Sequence, residues 1–105
     1  MFTYENLVQE FSKKTRNVRA APLSNRLPRW FFWGAVENNT IIIEAGKTEF
    51  LNSKIQGKRI LKRELFESML DLYQRRKNGE QVSQEAVKAT YNQVYWYGIF
   101  SDLDL

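Results

Sequence analysis

A chain of 105 residues has room for one domain of ordinary size, here expected to span residues 1–105. Its 43% hydrophobic and 27% charged residues lie near the averages for a soluble globular domain, and three Trp, five Tyr and seven Phe against only two Pro argue against disorder. There is no Cys and no His, which excludes disulfide scaffolds, Cys/His zinc sites, thiol nucleophiles and every catalytic arrangement that needs an imidazole.

The first segment reads as a helix. Tyr4, Leu7, Val8 and Phe11 recur at helical period, Thr3 suits the N-cap, and Phe2 with Leu7 forms a hydrophobic staple across it. Glu5 and Glu10 interrupt the apolar positions, so Met1 to Phe11 lacks the unbroken stretch of about seven apolar residues of a secretory signal. Lys13, Lys14, Arg16 and Arg19 follow as a charged tail, and Pro22 and Pro28 bracket a loop over residues 21–29.

Trp30 to Val36 and Thr40 to Ala45 read as two strands, aromatic and β-branched respectively, joined by a tight turn at Asn38-Asn39. Neither strand alternates cleanly. The runs Trp30-Phe31-Phe32-Trp33 and Ile41-Ile42-Ile43 imply that both faces are covered or that one face is meant for a partner. The run from Trp30 to Val36 is about a third of the ~20 residues a bilayer span needs. The expectation is a soluble, cytoplasmic chain without a membrane partner. Short third and fourth strands are expected around Thr48 to Leu51 and near Arg59-Ile60.

Lys62 to Lys77 is the next helix. Its stripe is Leu61, Leu65, Met69, Leu72 and Tyr73, widened by Phe66 and Leu70, with Asn78-Gly79 as the stop. A final helix is expected from an N-cap at Ser83, with Val82 and Val87 as staple and a stripe of Val87, Thr90, Tyr91, Val94, Tyr95, Gly98 and Ile99. The predicted class is α+β: an N-terminal helix, a small antiparallel sheet made of a β-hairpin plus one or two short strands, and two C-terminal helices packed on it.

The net charge of +4 is unevenly spread: +4 over residues 1–29, −2 over 30–53, +5 over 54–77 and −3 over 78–105. Lys54, Lys58, Arg59, Lys62 and Arg63 gather before and at the start of a helix that ends in Arg75, Arg76 and Lys77. Repeated cations beside a glycine turn suit a phosphate backbone, whereas Glu64, Glu67 and Asp71 nearby suit a solvated helix face. Trp30, Trp33, Trp96 and Tyr97 are candidates for an interface or for base stacking, because Trp96 and Tyr97 fall off the predicted stripe.

Two further motifs have ordinary readings. Gly46-Lys47-Thr48 resembles the end of a phosphate loop, but Ile41 stands where that motif needs Gly, and a strand-like segment comes after it. Glu37, Glu44 and Glu49 lack the acidic-x-Lys spacing of a metal-dependent nuclease and read as solvent-side positions on the sheet. No nucleophile stands beside an activating base, so an enzyme is not expected, nor is a metal or cofactor. In size, aromatic density and lack of signature the chain resembles the small orphan proteins carried on phage, plasmids or integron gene cassettes, a resemblance of kind that transfers no functional residue. The sequence thus points to a binding protein, with nucleic acid as first partner and a role as accessory protein of a mobile element. The alternatives are a protein-interaction module or homodimer joined through the Trp30–Val36 strand, and a small-ligand pocket walled by Trp30, Trp33 and Trp96 with Glu37 or Glu44.

Overall fold

A computed structural model describes residues 1–20 and 30–105; the predicted 21–29 loop lies outside the described residues. The elements are α1 (Tyr4–Lys13), β1 (Arg16–Arg19), β2 (Phe31–Glu37), β3 (Thr40–Ala45), β4 (Arg59–Leu61), a 3-10 turn (Arg63–Leu65), α2 (Phe66–Lys77), α3 (Ser83–Ala89) and α4 (Gln93–Asp102). The strands form one antiparallel sheet in the order β1-β2-β3-β4. The α+β class is as the sequence indicated. Among the described residues, no helix is long and apolar enough to cross a membrane.

Helix α1 begins as expected. The Thr3 hydroxyl accepts from the Asn6 amide at 3.2 Å while the Asn6 side chain accepts from the Thr3 amide at 2.9 Å, which satisfies two donors at the helix start. The hairpin turn also matches, with Asn38 and Asn39 at φ 50° and 63°, the left-handed pair that follows the strand twist.

Three features differ from the sequence reading. Arg16–Arg19 is not a charged tail but an edge strand, whose one buried apolar side chain, Val18, faces Phe32. One apolar residue in four is too little pattern to announce a strand, and the charges that hide it blunt the exposed edge. The second difference is at Thr48 to Leu51, which forms no strand. The Asn52 side chain accepts from the Thr48 amide and donates to the Thr48 carbonyl, so local bonds replace a ladder, leaving one isolated parallel bridge between Phe31 and Asn52.

Third, the single C-terminal helix is two. Thr90 is extended and its hydroxyl accepts from the Asn92 amide at 3.1 Å, which breaks the helix and rotates the residues beyond it. Val87 and Tyr91 consequently face outward, Tyr91 with 90% of its surface exposed. Five consecutive residues of α4, Trp96 to Phe100, are buried instead. A helix apolar on all sides belongs between two layers, and α4 lies between the sheet and α2. Trp96 and Tyr97 are therefore core residues at 0% exposure, which withdraws them from any interface or stacking role. Trp96 is ringed by Tyr4, Phe66 and Phe100, with centroids 5.8–6.4 Å away.

Cross-strand partners share a face, so the register sorts the sheet into two sides. Val18, Phe32, Gly34, Ile41, Ile43 and Leu61 face the helices. Both helices approach closely at glycine. A Cβ on Gly34 would stand 2.8 Å from the Phe11 ring of α1, and one on Gly98 in α4 would stand 2.7 Å from the Arg19 carbonyl of β1. The Tyr4 hydroxyl locks α1 to the sheet by donating to the Leu61 carbonyl at 2.6 Å and accepting from the Ile41 amide at 2.8 Å. Burial raises the Tyr4 pKa, against the opposing pull of the Ile41 bond, so the hydroxyl stays protonated as this bridge requires.

Two stability effects are expected. Tyr4→Phe leaves a buried amide and a buried carbonyl without their shared partner and lowers unfolding free energy in urea by about 1–3 kcal/mol. Gly98→Ala forces α4 off β1 and costs about 1–3 kcal/mol by the same measurement, although alanine is the better helix former.

Candidate functional site

The strand pairing that buries Phe32 turns Phe31 and Trp33 to the opposite side. That outer face carries Arg19 and Asn17 from β1, Phe31, Trp33 and Ala35 from β2, Ile42 and Glu44 from β3, and Ile60 from β4. Ile42 is buried on this face at 6% exposure, Phe31, Trp33 and Ala35 are half-buried, and Ile60 is exposed. Each ring has a cation over it. The Arg19 guanidinium lies 5.1 Å from the Phe31 centroid and the Lys47 ammonium 4.4 Å from the Trp33 centroid. Lys47 also reaches Glu44 at 3.8 Å, and Lys58 pairs with Glu37 at 2.6 Å. That hydrogen bond raises the Lys58 pKa, so this ammonium stays charged throughout the neutral range.

The continuous aromatic run is thus split by strand alternation. Trp30 and Phe32 go to the helix side, where Trp30 packs against the core, while Phe31 and Trp33 stand on the open side. Two of the sequence alternatives change accordingly. Trp30, Trp33 and Trp96 do not wall one pocket, because they lie at the core margin, on the outer face and in the core centre. Strand β2 is interior to the sheet, so it has no free edge through which two copies could pair.

Several of the basic residues have carboxylate partners. Arg63 pairs with Glu5, and Arg75 at the end of α2 pairs with Glu80 at 3.2 Å and Glu85 at 2.9 Å, with Asp71 at 3.5 Å. Arg76 lies over the Tyr97 ring at 5.2 Å. Arg16, from the first basic block, pairs with Asp102 at 2.7 Å and covers the Phe11 ring at 4.1 Å. Lys62 is exposed ahead of the 3-10 turn. Lys54 and Arg59 both border a cleft of about 420 Å³, with Trp30, Ser53 and Tyr95. Among the described residues no three acidic side chains gather to hold a metal ion, and Glu37 and Glu44 pair with Lys58 and Lys47.

No protein-family model, curated protein or solved structure matches the chain. The site therefore rests on its own geometry.

Sequence reasoning took Phe31 only as one ring of the aromatic run and set neither Arg19 nor Lys47 beside it. Period-two alternation within Trp30-Phe31-Phe32-Trp33 held the signal for Phe31, but the two cations come from a neighbouring strand and a loop that only the sheet brings alongside.

The Arg75 cluster yields a pH prediction. Its hydrogen bonds to Glu85 hold that carboxyl below the usual glutamate range, and Arg75 is shifted upward in return. A carboxyl whose folded pKa is depressed adds stability above its unfolded pKa and loses it as pH falls through the folded value. In a carbon-detected NMR titration, Glu85 is expected to titrate below the ordinary glutamate range, and Arg75→Ala to return it to that range. An unshifted Glu85 in the wild-type chain would refute the tie between α2 and α3.

Proposed function

We propose that this protein binds unpaired nucleic acid on the open face of its sheet, with bases stacked on Phe31 and Trp33. The observation that carries this reading is the pair of rings two residues apart on an interior strand, each with a cation beside it. At about 3.3 Å per residue the rings sit ~6.6 Å apart, roughly twice the ~3.4 Å rise of stacked bases, so a strand must unstack to place one base on each. Every base has a π-face, and a flat sheet with aromatic side chains accepts bases with little sequence preference. Arg19 and Lys47 are long enough to move from the ring face to the phosphates on either side.

The charge distribution favours stacking over backbone capture. If all seven predicted cations, Lys54, Lys58, Arg59, Lys62, Arg63, Arg75 and Arg76, met phosphates, log K against log salt would fall with a slope of about −5 on a single strand. Two contacts give about −1.4. The carboxylates already held by Lys58, Arg63 and Arg75 support the shallow slope.

A second reading is a face-to-face pair of copies, favoured by Ile60, which is 54% exposed beside Ala35 and Ile42 on the same face.

The deciding experiment is fluorescence anisotropy with a labelled single-stranded oligonucleotide across a salt series. Trp33→Ala and Phe31→Ala are each expected to cost about 1–3 kcal/mol of binding, while Arg63→Ala leaves it unchanged. Retained affinity in both ring variants, or a slope near −5, overturns the stacking reading. If no strand binds and sedimentation shows a dimer that Trp33→Ala dissociates, the second reading replaces the first.

A further inference from the structure

The cleft bordered by Trp30, Asn52, Ser53, Lys54, Arg59 and Tyr95 is separate from the sheet's open face. Arg59 pairs with Ile43 in the register and so leaves β4 on the helix side, and the Tyr95 ring meets Phe32 edge-on at 5.0 Å on that same side. At about 420 Å³ it falls towards the lower end of the roughly 300–1,000 Å³ typical of small-molecule sites.

Its walls combine two chemistries. Trp30 and Tyr95 supply ring surface, and the Arg59 guanidinium lies 5.8 Å from the Tyr95 centroid and hydrogen-bonds the Asn92 side chain at 3.3 Å. Lys54 and Arg59 supply two positive charges to which no carboxylate is bound among the described residues. Between them Ser53 is 8% exposed, and its hydroxyl has no hydrogen-bond partner among the described residues. A buried hydroxyl is nearly always bonded, and this one borders the cationic cleft, where a ligand oxygen would meet it.

The loop that presents Ser53 and Lys54 is held firmly. The Phe31 amide donates to the Leu51 carbonyl at 2.6 Å, and the Ser53 amide donates to the Phe31 carbonyl at 2.8 Å. The Asn52 side chain clamps Thr48 from within, and Ile55 is anchored in the core. A polar group fixed this way loses little entropy on binding.

We propose that this cleft binds a 5′-nucleotide, its base against Trp30 and Tyr95 and its phosphate held by Lys54, Arg59 and the Ser53 hydroxyl. The same chemistry is offered by a free mononucleotide and by the phosphorylated 5′ end of a strand.

Calorimetric titration with adenosine 5′-monophosphate, adenosine and a 5′-phosphorylated dinucleotide tests this. The phosphate-bearing probes are expected to bind saturably and adenosine to bind at least about tenfold more weakly, as loss of charge-assisted bonds predicts. Lys54→Ala changes only an exposed side chain and is expected to cost about tenfold, as is Arg59→Ala, while Trp33→Ala on the sheet face has no effect. If the monophosphate binds as well as the dinucleotide, the ligand is a free nucleotide; preference for the dinucleotide identifies a strand end. Equal binding of adenosine and its monophosphate, insensitivity to both cation variants, or no saturable binding of either phosphate-bearing probe overturns the proposal. Trp33→Ala keeps the two sites apart: dinucleotide binding that this substitution removes belongs to the sheet face, and binding that only Lys54→Ala or Arg59→Ala weakens belongs to the cleft.

Discussion

The Tyr4 hydroxyl sets the geometry of the molecule. It touches the paired residues Ile41 and Leu61 at once, so the first turn of α1 is pinned where β3 meets β4. From that point α1 runs along the sheet until Phe11 fills the space over Gly34, one residue of β2 that offers no side chain. The same anchor places Leu61 at the end of β4, from which the 3-10 turn leads into α2. Phe66, the first residue of α2, then meets the Tyr4 ring edge-on at 6.1 Å, and the core closes around Trp96.

With α1 fixed on one side and α4 drawn against β1 through Gly98, both helices that touch the sheet pack on that side. Strand alternation still turns every second residue of the β2 aromatic run outward, and among the described residues no helix packs over them, so Phe31 and Trp33 are left half-buried. The open face is thus a product of economy in the core: α4 is enclosed by the sheet and by α2, and it cannot serve both faces. Its residual apolar surface, flanked by Arg19 and Lys47, is the feature that most distinguishes this domain from a closed two-layer globule.

Charge shows the opposite relation between sequence and surface. The run of cations from Lys54 to Arg63 looks like one field along the chain, yet folding sends its members in different directions. Lys58 goes to the outer face and Glu37, Arg63 to Glu5 on α1, and Arg59 to the cleft under Tyr95. Arg75 is enclosed by carboxylates from α2, α3 and the turn between them. The partners of these cations are thus invisible to local charge density, because each lies five to fifty-eight residues away for all but the Asp71 contact.

Local chemistry was enough to settle the start of α1, the Asn38-Asn39 turn, strand β3 and the apolar stripe of α2, since caps, left-handed turns and amphipathic periods act over a few residues. The α+β class followed from these alone. The edge strand β1, the break at Thr90 and the burial of Trp96 and Tyr97 were decided by tertiary structure, because each depends on a surface supplied by a distant segment: β2 for the strand, and the sheet with α2 for the rings. The candidate site divides the same way. Trp33 and Phe31 are present in the sequence as part of one apolar run, but which rings face outward, and which cations stand beside them, is a matter of register, and register exists only once the strands have paired.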